Sequence, residues 1–349
     1  MANIVDIQLK GRLLRPHKAS VSPILGSRNV LTNQPWTFVS LWLRRRRQDE
    51  AALYWEQAHE FYRASEGLSP RSKPLLLYYC FMNAAKALLS AKGLSFDPYH
   101  GLKSHDQPGK SKKINIANVG VEIKPKGVLP SLAKYFAEPE STLTHRLQDL
   151  FFNMPFIHRT FCLTYKVQRD MFVPVRDCKY VFDRKTKTAF LASELSADWK
   201  SKHVMNRLPT TFRAAPEIGA GIIRSTDSVS FSKPRKPSPT DLKKLAGLHK
   251  AIRCDLFYIN ATESLWYIKL QTTGPKRLGR QTPTLILAAM HRLSELSRYH
   301  PPKLAALLAG HQNWLITEFM EMSPVQFIDE VAAEITGHQF LYPNVRPAS

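Results

Sequence analysis

Three polar residues interrupt or follow a stretch that otherwise predicts a buried helix. Asn83 and Lys86 lie within Pro74–Leu89, PLLLYYCFMNAAKALL, and His100 follows after a short loop. A buried lysine or amide costs free energy unless it has a partner or a ligand. Tyr79, Asn83 and Lys86 share one helix face, and the loop returns towards that helix. His100, Asn83 and Lys86 are therefore our candidate catalytic residues.

This polar set has two interpretations. In the first, it forms a small pocket for phosphate or ribose, in which His100 acts as a general base. In the second, it is a structural network that holds the loop on the helix. The same alternatives apply to His158-Arg159 and to Arg298 with His300, although Arg298 in the last turn of a helix is expected to cap carbonyl oxygens.

The charge of the chain points to a polyanionic partner. Fifty Lys and Arg against 28 Asp and Glu give a net charge of +22. A charge of this size favours nucleic acid as the partner. The alternative interpretations are that the charge keeps the protein in solution or that it binds an acidic protein partner. Basic residues dominate 1–48, whereas 314–339 contain acids and no Lys or Arg. The candidate nucleic-acid contacts are Arg44, Arg45, Arg46, Arg47, Lys110, Lys112 and Lys113.

Metal, cofactor and membrane signals are missing from the sequence. The 12 histidines show no H-x-x-x-H spacing and the four cysteines no C-x-x-C pair, so we expect no metal site and no disulfide framework. There is no P-loop and no strand-linked G-x-G-x-x-G, hence no expected cofactor. With no signal peptide and no long apolar run, the expected location is the cytoplasm, with reduced cysteines.

The periodicity of apolar residues predicts an α+β fold. Helices are predicted at Asp49–Ser65, Pro74–Leu89, Leu129–Phe136, Leu143–Phe152, Thr282–Tyr299 and Pro324–Thr336, with breaks at Gly310 and Pro324. Strands are predicted at Thr160–Val167, at Asp177–Phe182 with Thr188–Ala192, and at Leu256–Asn260 with Leu265–Leu270, the last two pairs as antiparallel hairpins.

Four regions follow from this pattern. Residues 1–48 form a basic, mostly irregular arm, and residues 49–157 a helical region. Residues 158–280 form a mixed region with antiparallel hairpins, and residues 281–349 are helical again. The helical regions are possible surfaces for a protein partner or a homodimer.

A collinear set of short motifs resembles the bacterial YaaC-like family over about residues 50–340. The motifs are Tyr54-Trp55, Phe61-Tyr62-Arg63, the Pro74 helix with Asn83 and Lys86, His100-Gly101-Leu102, Asn153-Met154-Pro155-Phe156-Ile157-His158 and Ser297-Arg298-Tyr299-His300-Pro301. The first helices are also similar to the HEPN superfamily of helical hairpins, found in toxin–antitoxin, defence and RNA-processing proteins. That resemblance implies a HEPN-like module at 49–157.

HEPN ribonucleases use an Arg-x4–6-His pair, and the only literal match here runs from Arg12 to His17. It contains Pro16 and lies outside the helical region, so we do not assign it catalysis. The leading expectation is a bacterial nucleic-acid-associated protein of a defence or stress system. The alternatives are a divergent, metal-independent HEPN-type ribonuclease and a non-catalytic scaffold that binds a protein partner.

Overall fold

The computed structural model describes residues 3–106, 113–167, 170–261, 264–272 and 277–342, so the candidates Lys110 and Lys112 lie outside the described residues. The chain divides into two compact units. The sheet unit comprises Met1–Thr32, Met171–Thr272 and Gly337–Ser349, and the helical unit comprises Asn33–Asp170 and Thr273–Thr336. Residues 1–48 and 281–349 therefore each contribute to both units.

The α-helices of the described residues are, in chain order, α1 (Pro35–Arg45), α2 (Asp49–Ser65), α3 (Lys73–Ala91), α4 (Val128–Tyr135), α5 (Leu147–Phe152), α6 (His158–Tyr165), α7 (Lys202–Met205), α8 (Pro239–Ile252), α9 (Thr282–Tyr299), α10 (Pro301–Leu308) and α11 (Asn313–Thr336). Short 3-10 turns lie at Pro155–Ile157 and Ala197–Trp199. No helix among the described residues has the length and apolar composition needed to cross a membrane.

The strands are β1 (Ile4–Asp6), β2 (Gln8–Leu9), β3 (Arg12–Leu13), β4 (Val30–Leu31), β5 (Leu102–Ser104), β6 (Gly120–Ile123), β7 (Thr144–Arg146), β8 (Phe172–Asp183), β9 (Thr188–Leu195), β10 (Phe212–Ala214), β11 (Ile222–Ser225), β12 (Val229–Ser230), β13 (Leu256–Ile259), β14 (Leu265–Lys269) and β15 (Phe340–Leu341). The described ladders are antiparallel except for β15 with β4, which is parallel. The predicted mixture of helices and antiparallel sheet is therefore confirmed.

The sheet unit is built on one antiparallel sheet in the order β10-β11-β9-β8-β14-β13, with β1 on β8 and β12 on β9. The predicted hairpins β8–β9 and β13–β14 are both present. Alternate strand residues such as Tyr180 and Leu191 share one core with Leu245 and Ile252 of α8. An amphipathic helix on one sheet face explains this period-two burial.

The arm at residues 1–48, predicted as mostly irregular, contains β1–β4 and α1, of which β1 and α1 are the main departures from the prediction. Ile4–Asp6 forms a strand whose residues pair with Val181–Asp183 of β8. Farther on, Pro35 begins α1, which buries Trp36, Val39 and Leu43 along one face. Proline at the start of a helix presets the first turn, and the three-and-four spacing then aligns the apolar face.

The helical unit is organised around α3, which packs against α2, α9 and α11. Neighbours on several sides explain why α3 is apolar nearly all round. From α2, Trp55 is fully buried and donates its indole N–H to Trp36 O over 2.9 Å. The bounds of α2 and α9 are those predicted from the sequence.

Three further element predictions are wrong. Leu143–Phe152, predicted as one helix, contains strand β7 and is helical only from Leu147. Thr160–Val167, predicted as a strand, lies largely in helix α6, where the rings of Phe161 and Tyr165 lie 4.8 Å apart, one helical turn from each other. Pro324 does not break α11, which continues through it to Thr336. The surrounding turns of α11 are buried in the unit, and this packing offsets the cost of the missing N–H.

Candidate functional site

A cavity of about 510 Å³ in the helical unit is lined by α2, α3, α9 and the loop before β5. All three candidate catalytic residues, Asn83, Lys86 and His100, line it. The structure therefore brings together side chains that the sequence associates only by helix spacing and proximity. Their catalytic role stays a prediction.

Helix α3 presents Tyr79, Asn83 and Lys86 to this cavity. Asn83 is buried and donates from Nδ2 to Tyr79 O over 3.0 Å, so part of its hydrogen-bonding capacity is used within the helix. Lys86 is half-buried, its Nζ lies 5.5 Å from the centroid of the Tyr54 ring, and burial lowers its pKa below the usual value. Within the described residues no carboxylate pairs with Lys86. Its charge is thus available to an anionic ligand.

The loop that carries His100 is held by a close backbone approach. Gly101 has a φ of +75°, and a Cβ at Gly127 would lie 2.5 Å from the Gly101 Cα. Only glycine fits where the backbones at Gly101 and Gly127 approach each other, because a side chain there would collide with the opposite backbone. The N-terminal end of α4 therefore fixes the position from which His100 enters the cavity.

The protonation of His100 follows from its hydrogen bond. The backbone N–H of Leu102 donates to His100 Nδ1 over 2.9 Å, so the neutral ring carries its proton on Nε2. Burial lowers the pKa of His100, which favours this neutral form. In this tautomer His100 offers a hydrogen-bond donor to a ligand. In this state both ring nitrogens are engaged or protonated, so the structure supports a hydrogen-bond donor, and the general-base role expected from the sequence stays a prediction.

Helix α9 also supplies cavity residues, and of these the sequence analysis named only Arg298 as a possible functional residue. The ring of His291 lies 4.5 Å from that of His100, and burial lowers the pKa of His291 to about 3. Arg298 is exposed at the end of α9, with its guanidinium 4.8 Å from the Tyr299 ring. The available signal was the polar stripe 291, 294, 295 and 298, whose three-and-four spacing marks one helix face.

One acid lies among the described cavity residues, and it is already engaged. Glu295 accepts from Arg292 Nη1 over 3.2 Å, while Arg292 Nη2 contacts both carboxylate oxygens of Asp106 at 2.7 and 2.8 Å. Burial raises the pKa of Glu295. Lys86 and Arg298 therefore give the cavity a positive character.

The arginine stretch 44–47 lies at the C-terminal end of α1, in the same unit as the cavity. Arg44 forms a bidentate ion pair with Glu56, from Nη2 to Oε1 at 2.9 Å and to Oε2 at 2.7 Å. Arg46 stacks on Trp42, with its guanidinium 3.8 Å from the ring centroid. Arg45 and Arg47 are exposed, and no described carboxylate pairs with them. Three of the four arginines thus keep an uncompensated charge.

The remaining candidates lie elsewhere. Lys113 is exposed beside the undescribed residues 107–112. His17 of the Arg12–His17 match is 2% exposed and accepts the Ala19 N–H at Nδ1 over 3.0 Å, while Arg12 donates to Gly26 O. Arg12 and His17 belong to the sheet unit, and neither is among the residues that line the cavity.

The fold and the cavity define a protein of helices and antiparallel sheet with a polar, cation-bearing cavity in its helical unit. The model of the YaaC-like protein family matches residues 27–335, a range that includes every residue lining the cavity. The chain therefore belongs to the YaaC-like family, which confirms the resemblance carried by its motifs. No curated protein and no solved structure matches the chain.

Proposed function

We propose that the protein binds single-stranded nucleic acid and that the cavity holds one nucleotide of the strand. The observation that carries this proposal is that Lys86 and Arg298 line the same cavity as aromatic rings such as those of Tyr99 and Tyr299. Cations bind the phosphate, and aromatic rings stack on bases without regard to sequence. In this proposal the chain is a bacterial nucleic-acid-associated protein of a defence or stress system, and α2 with α3 is its HEPN-like hairpin.

The exposure of the aromatic residues supports this assignment. Tyr99 is 50% exposed and Tyr299 60% exposed, and both line the cavity. Large exposed tyrosine surface beside a cation is the composition of single-strand binding sites. Arg45, Arg46 and Arg47 add phosphate contacts in the same unit, so the strand is held by charge outside the cavity and by stacking within it.

The test is binding of a labelled single-stranded RNA oligonucleotide to the full chain, followed by fluorescence anisotropy. Lys86→Met keeps the aliphatic stem and removes the charge, and because a hydrogen bond to a charged group is worth about 1.5–3 kcal/mol, affinity should fall about tenfold or more. Lys303→Met removes an exposed lysine of α10 and is the matched control. Equal affinities of the folded Lys86→Met and Lys303→Met variants would contradict the proposal.

A second candidate function is metal-independent cleavage of bound RNA. The observation that favours it is the hydrogen bond from Leu102 N–H to His100 Nδ1, which leaves Nε2–H to donate to a phosphate oxygen. The ribose 2′-OH attacks the adjacent phosphorus and loses its proton to water, His100 Nε2–H donates a hydrogen bond to a non-bridging phosphate oxygen, and the leaving 5′-oxygen takes a proton from water. The products are a 2′,3′-cyclic phosphate and a 5′-hydroxyl.

A further inference from the structure

Three side chains with metal-binding atoms converge in the helical unit, outside the cavity. His158 and Cys162 lie one turn apart on α6, and Asp170 follows the helix. His158 Nε2 lies 3.4 Å from Cys162 Sγ and 3.8 Å from Asp170 Oδ1, and the three ligand atoms all lie within 4.8 Å of one another. The sequence search for H-x-x-x-H overlooked this H-x-x-x-C spacing, which places both side chains on one helix face.

The separations suit a tetrahedral ion. In a zinc site with bonds of about 2.0–2.3 Å, neighbouring ligand atoms lie about 3.3–3.6 Å apart. The two distances from His158 Nε2 depart from this range by a few tenths of an ångström at most. The third separation, from Cys162 Sγ to the Asp170 carboxylate, is within 4.8 Å, so side-chain rotation would have to close a gap of at most about 1.2 Å there.

The second ring nitrogen of His158 is already fixed. His158 Nδ1 lies 3.0 Å from Phe152 O, and because a carbonyl only accepts, the ring donates there and carries its lone pair on Nε2. This is the outer contact that metal-binding histidines usually make. The Nε2 lone pair then faces Cys162 and Asp170, which is the tautomer that a metal requires.

Burial distinguishes this cluster from a surface group of polar residues. His158 is 3% exposed and Cys162 2% exposed. The Asp170 side chain is 16% exposed, and its Oδ2 lies 3.6 Å from Nη1 of the exposed Arg159, so Oδ1 is the oxygen on the His158 side. Imidazole, thiolate and carboxylate are the three kinds of side-chain ligand that bind zinc, and zinc sites with three protein ligands keep one position open.

We propose that His158 Nε2, Cys162 Sγ and Asp170 Oδ1 bind one zinc ion, with a water molecule as the fourth ligand. On binding, the S–H bond of Cys162 breaks, a Zn–S bond forms, and the proton passes to solvent. The ion joins α6 to the segment that follows Lys166. This site is independent of the proposed nucleic-acid function, since it shares no residue with the cavity.

The first experiment measures zinc in the full chain, purified from zinc-supplemented cells and washed with a weak chelator. We expect one zinc per chain by mass spectrometry, and loss of the ion in Cys162→Ser and Asp170→Ala. Cys254→Ser is the control, because Cys254 is a half-buried cysteine of the sheet unit, far along the chain from this cluster. Zinc that remains in Cys162→Ser would overturn the assignment.

The second experiment keeps the proposal testable if Cys162→Ser folds poorly. Cobalt(II) is titrated into chelator-treated wild-type protein, and the thiolate-to-cobalt charge-transfer absorption is followed together with proton release. One equivalent of cobalt should saturate the band and release one proton from the thiol. Asp170→Ala, which alters a partly exposed position, should weaken cobalt binding at least tenfold. A folded wild-type chain without a thiolate band shows a hydrogen-bonded cluster only and refutes the zinc site.

Discussion

The ion pair between Arg44 and Glu56 leads to a prediction about the salt dependence of binding. In the free protein the carboxylate of Glu56 neutralises Arg44, and the arginine holds the pKa of Glu56 below its usual value. Arg44 should therefore contribute little to phosphate binding. Glu56→Gln removes the negative charge, keeps the side-chain shape, and releases Arg44 for a phosphate.

The magnitude follows from counterion release. Each phosphate neutralised on a single strand adds about 0.7 to the slope of log affinity against log salt. Glu56→Gln should steepen the slope by about 0.7, which is about a 2.6-fold larger loss of affinity over a fourfold rise in salt. Replacement of Arg45, Arg46 and Arg47 by alanine should flatten the slope by about 2.1. Arg44→Ala in the wild-type background should change it much less.

The assay is anisotropy of a labelled single-stranded RNA at five salt concentrations, with the full chain. Glu60→Gln is the matched control, because Glu60 is exposed on the same helix α2 and pairs with no described arginine. It changes the net charge equally but frees no guanidinium. Equal slopes for Glu56→Gln and Glu60→Gln would refute the local argument, and a triple-alanine variant with the wild-type slope would remove the arginine stretch from the interface.

Three further predictions concern stability and catalysis. In Arg280→Met, the buried carboxylate of Glu138 loses the guanidinium whose Nη1 lies 2.9 Å from its Oε2. The free energy of unfolding in urea should therefore fall by about 3–5 kcal/mol. A loss below about 1 kcal/mol would contradict this prediction. Burial lowers the pKa of His17 from 6.5 to about 3. The unfolded chain therefore binds a proton more readily than the folded one, so the contribution of His17 to stability is full above pH 6.5 and is lost as the pH falls from 6.5 towards 3. His17→Gln should make the fall of Tm in that pH window less steep. If the chain cleaves RNA, cleavage should persist in EDTA, yield a 2′,3′-cyclic phosphate and disappear in His100→Ala, whereas a magnesium requirement or undiminished cleavage would exclude His100.

The sequence predicted those helices and strands whose apolar spacing and end signals lie within one short segment. Helices α2 and α9 have the predicted bounds, because apolar periodicity and flanking Pro or Gly are readable within one segment. Helix α6 was missed for the converse reason. Thr160, Cys162 and Tyr165 favour a strand in isolation, yet Phe161 packs on Phe152 with rings 5.2 Å apart, and this tertiary contact favours the helix.

The same distinction applies to the site. Asn83 and Lys86 were predictable from one helix face, and His100 from the short loop after it. His291 and Arg298 enter the cavity from α9, about 200 residues farther along the chain. No local rule states which later helix packs on α3, so only the folded chain shows that these residues meet.

The division of the sheet unit among three chain segments has a consequence for its synthesis on the ribosome. Strand β1 finds its partner in β8 only after about 175 more residues have been made, which at roughly 5–20 residues per second takes roughly 9–35 s. Strand β4 pairs with β15, which is synthesised only after the whole of α11, so this pairing forms later still. The helical unit therefore has all its residues before the sheet unit can close. Until then the nascent chain carries strand edges without their native partners, which makes this interval the period of greatest exposure to aggregation.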